Sequence, residues 1–424
     1  MYVFLNFHFH IIALCLLCCS FWQLLLLCLL RWRNERLPAI YVRMQNAAQA
    51  KAIQQPERVP NDGEKGLMEV YPKISVVVPV CREVDDLEPL LMSLLGQQYA
   101  GWYEIVVANE GVEEQVGLLV ERMMKQSSRL RATFVPASSR YIELRKLAIT
   151  LGVKASRGEW IIIVNPSTKP MSQQWLQSYA EHLSADVDFA LGYVNYSSDD
   201  RGRGRRAIME RVRVLQSRLR AYKHGVVAGC EQSNFAMRRS WFIANGGFAD
   251  SLELPFGEEF IMACLHSDAS RSVYLCAPDT RLVEKLPSRP TLTARRVAEA
   301  ECRKRLHGRQ RWFWRADAVV AWCPFLFLLS NTVYTALRLF MDCNNGAYSS
   351  ELLEFDIVAG LCWIVAMSAS LLLPCSSMKA LQERNSGLYI WVYDLLLPFR
   401  MLCVELLRRT QRRHFVRRYI PVSG

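Results

Sequence analysis

Apolar residues in this chain fall into short unbroken runs separated by stretches of helical periodicity, the alternation that predicts an α/β domain. Lys73 to Val80 is β-branched almost throughout, as a parallel strand covered on both faces requires. Pro79 has no N–H to give to a ladder, so the strand ends there and the chain turns out through Cys81, Arg82 and Glu83. Leu87, Leu90, Leu91, Leu94 and Leu95 then recur at helical spacing, and Glu104 to Ala108 forms a second buried strand that stops at Asn109, Glu110 and Gly111. Polar groups thus gather beyond the carboxyl ends of two strands, where open α/β sheets bind ligands.

The same alternation continues. Val116 to Met124 reads as a helix and Ala132 to Val135 as a strand. Leu144 to Ala155 is a helix with Lys146 near its start, closed by Arg157 and Gly158. Glu159 to Val164 is another buried strand and ends at Asn165, Pro166, Ser167 and Thr168. A helix at Trp175 to Leu183 and a strand at Phe189 to Val194 follow. Arg201 to Lys223 carries nine Lys or Arg and one acid, with Ile208, Val212, Leu215 and Leu219 at helical spacing. Such a helix either rests its basic side on anionic headgroups or an anionic lipid-linked acceptor, or lies solvated on the domain. Aromatic residues do not interleave with its charges before Tyr222, which argues against nucleic acid.

Outside this domain the pattern predicts membrane segments. Residues 2–30 are almost wholly apolar and are followed by Arg31, Arg33 and Arg36, which suits a span with its basic flank in the cytoplasm. His8 and His10 within it form either a metal pair or an interfacial span edge. Ala318 to Met341 and Phe355 to Leu373 are further apolar stretches, and Leu388 to Leu407 predicts an interfacial helix leading into a basic tail. The expected layout is a transmembrane helix over 1–32, a linker over 33–71, the α/β domain over 72–312, two transmembrane helices over 313–374, and an interfacial helix with a basic cytoplasmic tail over 375–424. The formal net charge of +12 reinforces it, since the arginines cluster beside apolar stretches. Of the 14 cysteines, Cys15, Cys18, Cys19 and Cys28 lie in the first apolar stretch and the other ten are scattered without CxxC or Cys/His spacing, so they read as reduced thiols rather than a zinc site.

The order of apolar strand, Pro79-Val80, Glu83, helix, and Glu104-Ile-Val-Val107 closed by Asn109-Glu110 resembles the start of family-2 glycosyltransferases of the GT-A fold. The resemblance strengthens over Gly229 to Phe260, where Asn234, Arg238, Arg239, Gly246-Gly247-Phe248 and Glu258-Glu259 follow the family's acceptor half. It implies a GT-A, Rossmann-like domain that binds a nucleotide-diphosphate sugar, in a bacterial protein of the inner membrane, multi-pass, with its catalytic domain on the cytoplasmic side. It also implies roles. Glu259 falls where the family has its general base, with Glu258 orienting it. Pro79, Glu83, Asn109, Glu110, Lys146, Asn165 and Ser167 are donor contacts, and Asn234, Arg238 and Trp312 lie on the acceptor side, Trp312 either within a near match to the Gln-x-x-Arg-Trp string of processive members or, with Phe313 and Trp314, in an interfacial aromatic belt.

The family usually holds Mg²⁺ or Mn²⁺ with an Asp-x-Asp motif, since hard cations take oxygen ligands. This chain has Asn165, Pro166 and Ser167 there, so the metal motif is degenerate and no metal ligand is assigned. Neutralising the departing diphosphate then falls to cations such as Arg140, Lys146, Lys169 or Arg238. The implied function is inverting transfer of a sugar to a lipid-linked or polysaccharide acceptor. The alternative is a catalytically inactive relative that serves a partner synthase as scaffold or regulator.

Overall fold

The computed structural model describes residues 36–47, 71–80, 84–109, 114–135, 144–197, 204–251, 257–323, 375–383 and 389–419, with scattered positions between 325 and 340. The described residues among 38–313 and 380–383 form one compact unit, and the other described residues form another.

In the first unit, β1 (Ile74–Val80) is buried along its whole length, as its β-branched run requires. It pairs in parallel with β2 (Tyr103–Asn109) on one side and β4 (Trp160–Ile163) on the other, while β3 (Leu130–Phe134) extends the sheet beyond β2. Helices α1 (Val84–Leu95), α2 (Glu114–Met124) and α3 (Leu144–Ala155) connect these strands. Beyond β4 the sheet turns antiparallel at β8 (Phe235–Arg238), then takes in β6 (Phe189–Gly192) and β9 (Ser272–Leu275), giving the order β3-β2-β1-β4-β8-β6-β9. A second sheet orders β5 (Thr168–Pro170), β10 (Leu282–Glu284) and β7 (Val194–Tyr196) as β5-β10-β7. The run read as one strand to Val194 is thus divided: β6 stops at Gly192, and the chain passes into the other sheet.

Helices α4 (Trp175–Ala180) and α1 bury Trp175, Leu176, Leu87, Leu90 and Leu91 against one face of the main sheet. Helix α3 lies close to the sheet because Gly152 has no side chain: a Cβ there would sit 2.5 Å from Val77 Cγ1. This close approach brings the first turn of α3 over the carboxyl ends of β1 and β4. The unit is completed by α5 (Gly204–Lys223), α6 (Arg239–Ala244), α7 (Glu258–His266), α8 (Arg289–Arg305) and the start of α9 (Gly308–Ala321). Residues 36–47 are helical, and Gln45 is buried in the same unit, its Nε2 donating to the Tyr274 carbonyl at 2.5 Å and its Oε1 accepting from Cys276 N at 2.8 Å.

The second unit contains α10 (Cys375–Ala380) up to Lys379 and α11 (Tyr389–Tyr419), with the rings of Phe325 and Phe399 4.9 Å apart.

The expectation of transmembrane helices is corrected here. Residues 2–30 and 355–373 lie outside the described residues, as does part of 318–341. Among the described residues no helix is long and apolar enough to cross a membrane. Helix α9 is 14 residues long and carries Arg309, Arg311, Arg315 and Asp317, while α11 carries Asp394, Arg400, Glu405 and a run of arginines. The fold class the described residues support is therefore mixed α/β, and no helix among them supports the predicted membrane spans or the multi-pass inner-membrane location.

The basic helix is also rearranged relative to its reading. Arg211 and Arg218 of α5 are buried rather than displayed, and both meet carboxylates. Arg211 Nη2 lies 2.7 Å from Glu284 Oε2 and Arg218 Nη1 lies 2.6 Å from Glu231 Oε1.

Candidate active site

Strand β4 ends at Ile163, and Val164 N still donates to Val77 O at 3.0 Å, so Asn165 is delivered beyond the sheet edge between β1 and β8. The turn there is pinned. Asn165 N donates to Ser233 Oγ at 3.0 Å, and Thr168 Oγ1 donates to the Asn165 carbonyl at 2.7 Å. Antiparallel pairing of β8 with β4 places the preceding loop, Gly229 to Ser233, beside Asn165. That loop presses on α7: Gly229 has φ +128°, and a Cβ on it would lie 2.3 Å from the Phe260 ring, so only glycine fits.

Helix α7 opens with Glu258 and Glu259, where the positive end of the helix dipole favours carboxylates. Both are buried, Glu259 completely. Burial pushes the Glu259 carboxyl up to about 7; Arg145 opposes the shift and Glu258 adds to it. Glu258 Oε1 and Glu259 Oε2 are buried and accept no hydrogen bond among the described residues.

The residue that joins these parts is Arg145, in the first turn of α3. Its Nη2 donates to Glu259 Oε1 at 2.6 Å, to Asn165 Oδ1 at 2.9 Å and to the Gln232 carbonyl at 3.4 Å, while Nε lies 3.6 Å from Glu258 Oε2. Its side chain keeps 25% of its surface exposed. The sequence reading weighed four other cations and missed this one. The signal was there, because Arg145 precedes the buried Ala148, Ile149 and Gly152 by three, four and seven positions and so shares their sheet-facing side.

Beside this cluster lies a cavity of about 120 Å³, lined by Asn165, Gln232, Ser233, Gly257 and Phe260 on one side and by Tyr196, Arg211, Glu231, Glu284, Arg295 and Glu299 on the other. Its charges are paired. Arg295 Nη1 lies 2.6 Å from Glu284 Oε1, and the Arg211 guanidinium sits 3.5 Å from the centre of the Tyr196 ring. Burial alone would raise the Glu284 carboxyl, but Arg211 and Arg295 hold it below its ordinary range.

The other residues named from sequence are dispersed. Pro79 and Asn109 are buried at the ends of β1 and β2, facing the same edge as Asn165. Ser167 is half-buried in the turn after Asn165. Glu83 and Glu110 lie outside the described residues. Lys146 is buried with Nζ donating to the Ser251 carbonyl, which anchors the chain ahead of α7. Asn234 is buried at φ 66°, its Nδ2 donating to the carbonyls of Tyr193 and Thr280, both at 2.9 Å. Arg238 pairs with Trp160 at the opposite end of β4, and donates to the Val187 and Ser184 carbonyls at 2.7 and 2.6 Å. Trp312 is 69% exposed on α9 and does not line the cavity.

The residues at the usual metal position do not fit a divalent cation. Asn165 supplies a neutral amide oxygen that already takes a guanidinium N–H, and a cation bound to it would face that positive charge. Among the described residues no group of three or more His, Cys, Asp or Glu is arranged to hold a metal ion.

A mixed sheet with a polar cluster beyond its parallel strand ends, a buried carboxylate on a helix start and an adjoining polar cavity define a group-transfer enzyme of the nucleotide-binding α/β class. Residues 75–246 match the profile of Glycosyl transferase family 2. Among solved structures, the chain is similar to the mannosyltransferase PcManGT from Pyrobaculum calidifontis in complex with GDP-Man and Mn²⁺, at 16% identity and TM-score 0.46, covering 92% of this chain and 99% of that one. It is also similar to TarS from S. aureus, at 16% identity and TM-score 0.37, covering 60% of this chain and 43% of that one. A structure of TarS residues 1–349 gives 17% identity and TM-score 0.37 over 80% of this chain and 91% of that one. No curated protein matches the chain.

Proposed function

We propose that this domain transfers a sugar, with inversion, from a nucleoside-diphosphate sugar to a hydroxyl of a glycan or lipid-linked acceptor. The observation that carries the reading is Glu259: a buried carboxylate on the start of α7, with one oxygen held by Arg145 and the other accepting no hydrogen bond among the described residues. In this reading Glu259 Oε2 takes the proton of the acceptor hydroxyl as its oxygen attacks the anomeric carbon. The new glycosidic bond forms opposite the old one, and the bond to phosphate breaks with its electron pair leaving on the nucleoside diphosphate. A base that reacts near neutrality needs a carboxyl raised well above its ordinary value, and burial supplies that. Glu258 adjoins the base and shares its counter-ion, Arg145. The polar cavity beside Gly257 and Phe260 suits a hydroxyl-rich acceptor, because its charges are already paired and offer hydrogen-bonding groups rather than net charge.

Turnover measured with a panel of uridine and guanosine diphosphate sugars tests the reading. Glu259→Gln is expected to reduce kcat by about 10²–10⁴-fold, the range for a lost general base, while binding the donor within a few-fold of wild type. Equal turnover by wild type and Glu259→Gln would remove the base from the mechanism.

A further inference from the structure

The position that holds a metal ion in the resembling family is filled here by Asn165, and the group bonded to it is a guanidinium. We infer that Arg145 takes the cation's place in the donor site: it binds the diphosphate of the nucleotide sugar directly, and the site works without a divalent metal. The inference rests on the nucleotide-sugar reading above and extends it to how the diphosphate is held.

Four observations carry it. Arg145 stands in the first turn of α3, beyond the carboxyl ends of β1 and β4, the crevice in which sheets of this type receive ligands. It reaches the amide oxygen of Asn165 and the carboxylate of Glu259 through one nitrogen, at 2.9 and 2.6 Å, so its positive charge lies between the donor position and the base. A quarter of its side-chain surface stays exposed, so a ligand can reach it. Finally, a neutral residue at 165 suits such a cation: Arg145 already faces Glu258 and Glu259, and aspartate at 165 would add another carboxylate and further weaken its hold on phosphate, whereas the amide positions it through a neutral hydrogen bond.

A guanidinium presents its donors in a planar fork that matches phosphate oxygens, and its charge does not titrate in the working range. As the anomeric carbon leaves the phosphate oxygen, the negative charge that develops on the diphosphate is met by Arg145 without a metal ion. Among the described residues, Glu258 and Glu259 of α7 face Arg145 with their charges, and Asn165 and Gln232 add neutral oxygens from the turn after β4 and the loop before β8.

Calorimetric titration of GDP and UDP into the full chain, in excess EDTA and separately in Mn²⁺, tests the inference. The expected result is binding of at least one of the two nucleotides with affinity equal within about twofold in EDTA and Mn²⁺. Arg145→Gln should weaken it at least tenfold, Arg145→Lys less, and Asn165→Asp several-fold. Wild-type binding that disappears in EDTA and returns with Mn²⁺ would overturn the inference while leaving the nucleotide-sugar reading intact. So would wild-type affinity in a folded Arg145→Gln protein. The metal comparison uses only wild type, so it decides even where the Arg145 variants do not fold. Absence of binding under both conditions, by protein with a cooperative melting transition, would overturn the nucleotide-sugar reading and the inference together.

Discussion

Glu259 carries opposing forces in a small volume: burial drives its carboxyl up to about 7, while Arg145 at 2.6 Å pulls the other way. Two outcomes follow. If the ionised form is the base, kcat/KM rises with pH through about 7 and levels off above it, and that rising limb vanishes from the residual activity of Glu259→Gln. The same shift appears in stability. The folded protein binds this proton more tightly than the unfolded chain, whose glutamate titrates near its ordinary 4.5, so the contribution of Glu259 is full below that value and is lost as pH rises towards 7. Denaturant melts of wild type and Glu259→Gln should therefore diverge across this window, wild type losing up to about 1.4 kcal/mol per pH unit relative to the variant. Parallel curves would mean that Glu259 titrates alike in both states. At this scale the sequence was partly readable. The carboxylate pair stood out beside Gly257, but Arg145 did not, because its role depends on three segments far apart in the chain: Asn165, Gln232 and α7. Lys146, one position on, was the more conspicuous cation and lies buried against the Ser251 carbonyl instead.

Helix α5 shows how composition misleads about an element's surroundings. Its arginines suggested an exposed cationic face, yet Arg211 lies against the Tyr196 ring and between Glu284 and Glu231, and Arg218 meets Glu231 and Glu299. Those acids come from β10, the loop before β8 and α8, so no local pattern in α5 announces them. Arg211→Met should cost about 3–5 kcal/mol in urea unfolding, because it leaves Glu231 and Glu284 buried with fewer partners, whereas Arg205→Ala on the exposed side of α5 should stay within about 0.5 kcal/mol. A value for Arg211→Met below about 1 kcal/mol would mean that the pairing is not maintained in solution. The central strands, by contrast, were legible almost to the residue, since runs such as Ile74–Val80 and Trp160–Ile163 have only one way to be covered on both faces. What the strands did not disclose is how closely α3 packs on them. Gly152→Ala places a methyl against Val77 and should destabilise the fold by about 1–3 kcal/mol, shifting the helix that carries Arg145. An unchanged melting curve would show that α3 has room to move.

On the scale of the whole molecule, the sequence disclosed an α/β domain and the family that residues 75–246 match, and it overstated the membrane. Apolar stretches with basic flanks were read as spans, whereas among the described residues no helix is long and apolar enough to cross a bilayer. The departures from the family pattern look different once placed in space. Asn165, Arg145 and Glu259 form one connected group, so the loss of acidity at one position coincides with a cation at the next. The central claim is that this group serves sugar transfer, and release of nucleoside diphosphate from nucleotide sugars by the full-length chain tests it most directly. The account predicts that at least one uridine or guanosine diphosphate sugar is consumed in excess EDTA, faster when glycan or lipid-linked acceptors are added. Folded protein that releases no nucleoside diphosphate from any of them, with acceptors present and in EDTA or Mn²⁺ alike, would contradict it.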